Sequence, residues 1–425
     1  MTAFQSPVGT RDVMAPESAR WSDLVGRFAA RARRAGFGLV VSPGFEDAEV
    51  FRRSSGESSE VVQKEMYEFT DKGGRTIALR PEGTASVVRA FVQHRPLMPF
   101  KAWYVAPMFR YERPQAGRLR QHHQLGIETL GTDDPMADAE VIDLLVGLYT
   151  EIGLISALEL RVNSLGDHTC APSYRESLAA YLEEHEAELC GEHRAKWAVN
   201  PLRILDCKRD ECRAVREGAP KVRDALCDPC AMHFAAVTGA LDRLGVAYRV
   251  DDYLVRGLDY YTRTTFEFAS GTIEGVGGGG RFDGLVEALG GPAMSGVGFG
   301  AGIERILLAC DEAGVFGAPG SSAATSRGLD AFLVDLTNEG IALELAHELR
   351  EAGIAVDRAF DARSMKAQLK AADRSGALTA VIVGDAELGA GTVTLRVLRG
   401  PEAHVQHTVL RGELAGRLSE ITERR

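Results

Sequence analysis

Four arginines, Arg110, Arg113, Arg118 and Arg120, lie in one stretch from Met108 to Glu128, MFRYERPQAGRLRQHHQLGIE. A guanidinium offers a planar fork that pairs bidentately with phosphate oxygens, so such a cluster suits a phosphate-rich ligand. The alternative is a solvated charged hairpin. Other segments add chemistry that a solvated hairpin leaves unexplained. RPEGTAS at 80–86 places Glu82 and Thr84 at a turn leading into a helix. There they suit a substrate ammonium, or Thr84 simply caps the helix. LVRGLDYYTRTTFEF at 254–268 carries Arg256 and the adjacent Tyr260 and Tyr261. Neighbouring strand residues point to opposite faces, so one tyrosine is expected to line a pocket. GFGAGIERILL sets three glycines before a helix whose first turn holds Glu304 and Arg305. No GxxxxGK[ST] motif occurs, so ATP would not be held by a P-loop. The run GVGGGGRFDGL at 275–285 lacks the spacing of a dinucleotide fingerprint, and its glycines suit close backbone approach.

Cys207, Cys212, Cys227 and Cys230 form C-x4-C…C-x2-C. Two close thiolate pairs make a candidate structural zinc site. Cys190 and His193 compete as ligands, and free, partly buried thiols are the other reading.

These groups need elements to position them. The periodicity predicts an amphipathic helix over 18–36, with Trp21, Leu24, Val25 and Phe28 at helical spacing. A strand broken at Pro43-Gly44 and a strand–turn–strand about Gly73-Gly74 follow. Next come a helix over 84–94, a strand over 101–111, its return from His122, and a helix over 135–152. From about 166 to 249 the chain reads as mostly helical. Alternation then predicts a strand from Tyr248 to Ser270, and residues 296–314 read as strand into helix. APGSSAATSRG at 318–328 is small and polar, like a linker. Beyond it strands at 329–335, 354–357 and 379–384 alternate with helices at 338–352 and 363–375, an α/β pattern.

A chain of 425 residues with 45% hydrophobic and 26% charged content has ample core for two or three domains. Its net charge of −11 argues against a surface coated for indiscriminate nucleic-acid binding but permits local basic patches. No apolar run reaches the length of a membrane span and the N-terminus does not read as a secretory signal, so a cytoplasmic protein is expected. Seven cysteines, an odd number, read as thiols or metal ligands rather than disulfides.

With those segments in view, the chain resembles the class II aminoacyl-tRNA synthetases, and among them the histidyl-tRNA synthetase family. VGTRD and the Pro43 region resemble the family's opening and motif 1, FRYERPQAGRLRQHHQLGIE motif 2, and GVGFGAGIERILL motif 3. LVRGLDYYTRT, RPEGT and SMKAQLKAADRSGALTAVIVG are the histidine-specific resemblances. The resemblance implies an α+β fold, with an antiparallel sheet flanked by helices, a helical insertion and a C-terminal α/β anticodon-binding domain. It places the catalytic domain at 1–165 and 250–320, the insertion at 166–249, a linker at 321–328 and the anticodon-binding domain at 329–425. It implies a homodimeric histidine–tRNA ligase that forms histidyl-adenylate from ATP and histidine, then charges the terminal adenosine of the cognate tRNA. Mg²⁺ is implied on the β/γ-phosphates. The alternative is a non-catalytic paralogue regulating histidine biosynthesis, which shares the catalytic fold but lacks the C-terminal domain.

By the same resemblance Arg110, Arg256 and Arg305 are catalytic. Glu82, Thr84, Arg110, Gln124, Glu128, Arg256, Tyr260 and Tyr261 bind histidine. Arg110, Glu112, Arg118, His122 and Arg305 bind ATP. Arg113, Arg120, Lys366, Lys370 and Arg374 face tRNA. Two positions depart from the family pattern. Phe282 stands where many relatives carry Tyr, and His122 where an adenine-stacking aromatic is common.

Overall fold

The computed structural model describes residues 4–56, 59–273, 275–318, 328–337, 339–360, 364–400 and 402–423. Two compact units divide the chain, Met1–Thr325 and Ser326–Arg425. The expected linker at 321–328 falls, except for Gly328, outside the described residues.

The larger unit opens with helix α1 (Glu17–Arg34), strand β1 (Gly38–Leu39), strand β2 (Phe45–Asp47), helix α2 (Ala48–Ser55) and strands β3 (Glu68–Thr70) and β4 (Thr76–Leu79). Helix α3 (Thr84–His94), strands β5 (Phe100–Phe109) and β6 (Gln121–Leu130), helix α4 (Pro135–Glu151) and strand β7 (Glu159–Ser164) follow. Helices α5 (Ala171–Glu184), α6 (Gly191–Arg194), α7 (Asp210–Gly218) and α8 (Asp228–Arg243) form the helical stretch. Strands β8 (Arg249–Val250), β9 (Thr262–Ala269) and β10 (Gly277–Arg281), helix α9 (Leu285–Ala288), strand β11 (Gly296–Gly302) and helix α10 (Ile303–Ala313) complete the unit.

Eight strands form the main sheet in the order β1-β5-β6-β11-β10-β9-β7-β8. Its interior pairings are antiparallel, and only the edge pairs β1·β5 and β7·β8 are parallel. One face is packed by helices. Leu24, Phe28 and Ala32 of α1 recur at helical spacing and are buried with Ile142, Leu145 and Tyr149 of α4 and Ile306 and Cys310 of α10. Helix α4 starts where it does because the Asp134 carboxylate accepts from Met136 N at 2.9 Å and Pro135 occupies the first turn.

The sequence pattern misleads at one place. Residues 251–261 form no strand; only Arg249–Val250 and Thr262–Ala269 of that stretch pair. Strands β8 and β9 lie on opposite edges of β7, one parallel and one antiparallel to it. The chain between them must turn around the end of β7, helped by Asp251 Oδ1 accepting from Tyr253 N at 3.2 Å. Tyr260 and Tyr261 therefore precede the strand, and the alternate-face rule does not govern them.

The smaller unit holds strand β12 (Ala331–Asp335), helix α11 (Ile341–Glu351), strand β13 (Val356–Arg358), helix α12 (Met365–Arg374), strand β14 (Thr379–Val383), helix α13 (Asp385–Ala390), strands β15 (Thr392–Val397) and β16 (Gln406–Leu410) and helix α14 (Leu414–Glu423). Its sheet runs β13-β12-β14-β15-β16, parallel in the first three strands and antiparallel beyond.

Candidate active site

Strands β5 and β6 pair in register, with Ala106 opposite Gln124 and Ala102 opposite Glu128. Gln124, Gly126 and Glu128 share one sheet face because side chains alternate along a strand. Across from them, β11 sets Gly298 opposite Glu128 and Gly300 opposite Gly126. A Cβ on Gly298 would stand 1.9 Å from Glu128 Oε2, and one on Gly300 would stand 2.2 Å from Gln124 Nε2. On β10 a Cβ at Gly278 would come within 2.8 Å of Arg256 Nη1. The two glycine runs are thus a floor stripped of side chains, on which site residues lie flat.

Over this floor sits a buried polar cluster. Glu82 accepts from the backbone N–H groups of Thr84 at 2.6 Å and Ala85 at 2.8 Å, so it caps α3. Thr84 is not the cap. Its hydroxyl donates instead to Glu128 Oε1 at 2.7 Å. Glu128 is fully buried, and its other oxygen, Oε2, has no hydrogen-bond partner in the protein. Burial pushes the Glu128 carboxyl well above the usual carboxylate range; the Thr84 bond opposes this and the nearby Glu82 adds to it. Burial likewise raises Glu82. The Tyr104 hydroxyl, close enough to steady Glu128, meets Gln124 Oε1 at 3.2 Å.

The cluster adjoins a cavity of about 930 Å³ through Tyr261, which lines the cavity and feels the charge of Glu128 and Glu82. Arg110, Glu112, Arg118, Arg256 and Arg305 share that lining. Basic side chains outnumber acidic ones along the walls, in a chain whose net charge is −11. Arg110 Nε donates to Pro81 O at 2.8 Å, tying the end of β5 to the Glu82 turn. Arg305 Nε donates to Gly117 O and Nη1 to Gly275 O, each at 3.0 Å, which joins α10 to the tip of the arginine loop. Burial, reinforced by Arg118 and Arg110, lowers the Arg305 pKa. Cations crowded against a buried guanidinium favour an anionic ligand beside them. Arg256 pairs through Nη1 with Glu267 Oε2. Burial works against the Arg256 charge, but Glu267 with Tyr261 and Tyr260 outweighs it and its pKa is raised.

Tyr260 and Tyr261 pack with ring centroids 4.6 Å apart and planes tilted by 47°, and Tyr260 also meets the Phe282 ring edge-on at 5.8 Å. Phe282 itself is buried among Val88, Phe91, Leu130 and Val286, so its role is packing. Burial, with Arg110 and Arg305, lowers His122 to about 3, which keeps its imidazole neutral at physiological pH. Glu304 accepts from His123 N at 3.1 and 3.0 Å through its two oxygens, pinning the start of α10 to β6. Arg113 is exposed and outside the cavity. Arg120 lies over the Tyr111 ring at 4.0 Å. In the smaller unit, Lys366, Lys370 and Arg374 are exposed on one face of α12. The opposite face buries Gln368, whose amide meets Asp335 N at 3.0 Å and Asp335 O at 2.6 Å.

The grouping of Cys207, Cys212, Cys227 and Cys230 into one metal site is overturned. The pairs separate: Cys207 and Cys212 converge with Cys190 and His193, and Cys227 and Cys230 with Asp167 and Cys170. Sequence spacing could not show this, because Cys207 and Cys212 flank the start of α7 and Cys227 and Cys230 the start of α8, and what each helix start meets is set by tertiary folding. Other site residues carried little signal. Glu267, the partner of Arg256, reads as an ordinary strand carboxylate. Tyr104 was discoverable from alternation, since it shares a buried face with Ala102 and Ala106. Glu65, Lys208 and Arg209 reach the cavity only through tertiary folding.

Comparison with known proteins agrees with this geometry. A model of the family described as histidyl-tRNA synthetase matches residues 9–306, and an anticodon binding domain matches residues 330–421. The chain is 44% identical to a histidine–tRNA ligase of Halothermothrix orenii, over 94% of this chain and 95% of the relative. It is 46% identical to one of Mycobacterium marinum, over 94% of each. The apo histidyl-tRNA synthetase of S. aureus superposes with a TM-score of 0.78 at 33% identity, covering 98% of this chain and 100% of that one. A Bacillus halodurans structure titled an ATP phosphoribosyltransferase regulatory subunit/histidyl-tRNA synthetase, at 20% identity and a TM-score of 0.65, shares the fold. On the matched residues 9–306 and these full-length identities, the chain belongs to the histidyl-tRNA synthetase family.

Proposed function

We propose that the larger unit is the catalytic centre of a histidine–tRNA ligase, and that Glu128 Oε2 is the observation carrying its histidine specificity. A fully buried carboxylate oxygen with no protein partner is costly unless a ligand donates to it. An imidazole N–H is such a donor. Tyr261, at the border of cluster and cavity, takes the second ring nitrogen, and the tilted Tyr260 ring packs against it. Glu82, Thr84 and Gln124 serve the α-ammonium. A pocket with polar partners for both ring nitrogens rejects analogues that would leave those partners unpaired.

The protein ligates histidine to tRNA in two steps. In the first, the histidine carboxylate attacks the α-phosphorus of ATP and pyrophosphate leaves. Attacking and attacked groups are both negative, so alignment and positive charge do the catalysis rather than a protein nucleophile. Arg110 and Arg256 bear on the carboxylate and α-phosphate, and Arg305 on the γ-phosphate. Glu112, Arg118 and neutral His122 hold the nucleotide. Arg256 suits its part because it lines the cavity and Glu267 fixes one nitrogen of its five-donor guanidinium. In the second step the histidyl group passes to the terminal adenosine of the tRNA.

Mg²⁺ belongs to this reading on donor chemistry. Glu65 and Glu112 offer carboxylate oxygens on the cavity wall, a hard donor set that would hold the ion. When bound, it would supply positive charge to the departing pyrophosphate. Arg113 and Arg120 serve the tRNA acceptor end, and Lys366, Lys370 and Arg374 meet the RNA backbone with one basic helix face. The match at 330–421 supports anticodon recognition by the smaller unit. Homodimerisation about the Pro43 region is supported by the exposed apolar Leu39, Val41 and Phe45. The catalytic domain is assigned to 1–165 and 250–320, the insertion to 166–249 and the anticodon-binding domain to 329–425, cytoplasmic throughout. No helix among the described residues is long and apolar enough to cross a membrane.

The test is ATP–pyrophosphate exchange with each amino acid in turn. Exchange dependent on histidine alone is expected. Exchange absent with histidine, in protein that binds ATP, refutes the reading.

A further inference from the structure

We propose that the insertion binds two zinc ions, one held by Cys190, His193, Cys207 and Cys212, the other by Asp167, Cys170, Cys227 and Cys230. In each set the four ligand atoms lie within 4.8 Å of one another. A tetrahedral zinc with Zn–S bonds of about 2.3 Å needs ligand separations of roughly 3.8 Å, so each set must close by less than about an ångström. That compactness fits one ion; the sulfurs around an iron–sulfur cluster stand further apart. Soft thiolates with one imidazole or carboxylate select zinc among common divalent ions.

The first set is built from short turns. Cys190 precedes α6, His193 lies within it, Cys207 ends a 3₁₀ turn over Pro201–Asp206, and Cys212 sits in the first turn of α7. Cys190 Sγ stands 3.1 Å and Cys212 Sγ 4.0 Å from His193 Nδ1. Cys190 N donates to Cys212 Sγ at 3.3 Å, the kind of backbone contact that stabilises a thiolate. All three cysteines are buried within the insertion's own apolar cluster. That cluster is small for the length of chain it must organise, the situation in which small folds add a metal.

The second set joins the start of the insertion to the start of its last helix, α8. Asp167 and Cys170 lie just after β7, and Cys227 and Cys230 open α8. Asp167 Oδ1 is 3.8 Å from Cys170 Sγ and 3.9 Å from Cys227 Sγ. Its other oxygen pairs with Arg263 Nη2 at 3.3 Å. Three thiolates, a carboxylate and Zn²⁺ carry two net negative charges, and Arg263 offsets one. His193, Cys207 and Asp167 also line the large cavity, so both ions would brace its wall.

Full-length protein purified without chelator is analysed for metal by mass spectrometry, with Cys207→Ser and Cys227→Ser alongside. About two zinc ions per chain are expected, each variant losing about one. Replacement by cobalt should give the visible bands of tetrahedral thiolate coordination, a readout in wild type that survives if a variant does not fold. A wild-type content under about a tenth of an ion per chain overturns both sites. One ion, lost with only one of the two substitutions, overturns the other site. Disulfides in the intact mass of zinc-free protein also overturn the proposal.

Discussion

Glu128→Gln should weaken histidine use while making the ligand-free protein more stable. The carboxylate is wholly buried; Oε1 is taken by Thr84 Oγ1 at 2.7 Å and Oε2 is unpartnered. In the variant the amide oxygen keeps the Thr84 hydroxyl, which turns the NH₂ group toward the ligand. An acceptor for the imidazole N–H becomes a donor. Leaving a buried polar group without its partner costs about 1–3 kcal/mol, or roughly 5- to 150-fold in histidine affinity. Stability moves the other way. Burial holds the folded pKa of Glu128 above its unfolded value. Such a group contributes stability that is fully present below the unfolded pKa, near 4.3 in order of magnitude, and is lost as pH rises through the folded value. Glutamine has no proton to lose. The ligand-free variant should therefore melt above wild type at about pH 8, with the gap closing near about pH 4. Pyrophosphate exchange gives the KM for histidine and for ATP separately, and calorimetry gives Tm against pH. A histidine KM within about threefold of wild type, or an equal rise in the ATP KM, refutes the reasoning. So does a variant less stable than wild type at both pH values.

Other expectations follow from the same geometry. Arg256→Ala should slow adenylate formation by at least about two orders of magnitude, because one transition-state charge partner typically contributes a few kcal/mol; exchange within about tenfold of wild type, in folded protein, refutes its role. Gly298→Ala places a methyl 1.9 Å from Glu128 Oε2, so it should raise the histidine KM more than the ATP KM. Equal changes in the two would show that the floor is not specific to the histidine pocket. Cutting the chain near Ser322 should spare histidine activation and reduce tRNA charging, measured by exchange and aminoacylation on the same preparation. Equal loss of both, in a truncated protein that still forms the wild-type oligomer, refutes a separate anticodon module.

What the sequence made legible has a physical pattern. Elements whose register is set by local periodicity stood out: the helix expected over 84–94 is Thr84–His94, and the arginine hairpin has strands Phe100–Phe109 and Gln121–Leu130. In both, one face is apolar and the turn chemistry marks the ends. The segment from Asp251 to Tyr261 misled because its alternation is real but its direction is dictated by β7, a strand nearly ninety residues earlier. The cysteines failed for the same reason. Their pairs are local, whereas the partner each pair meets is set by how α5, α7 and α8 pack.

The glycine runs were half legible, and they explain why the site needs this sheet. Counting glycines indicates close approach but not what approaches. The folded structure supplies that answer: a Cβ at Gly298 would meet Glu128, one at Gly300 would meet Gln124 and one at Gly278 would meet Arg256. Each missing Cβ is the space into which a charged or polar side chain lies down, away from water. A flat, side-chain-free floor on β10 and β11 lets the carboxylate of β6 and the guanidinium before β9 share one surface. Specificity and catalysis are thereby coupled through backbone that no substitution can occupy without displacing one of them. Selective effects at Gly298 and Gly278, the first on histidine and the second on adenylate formation, are the signature this arrangement requires.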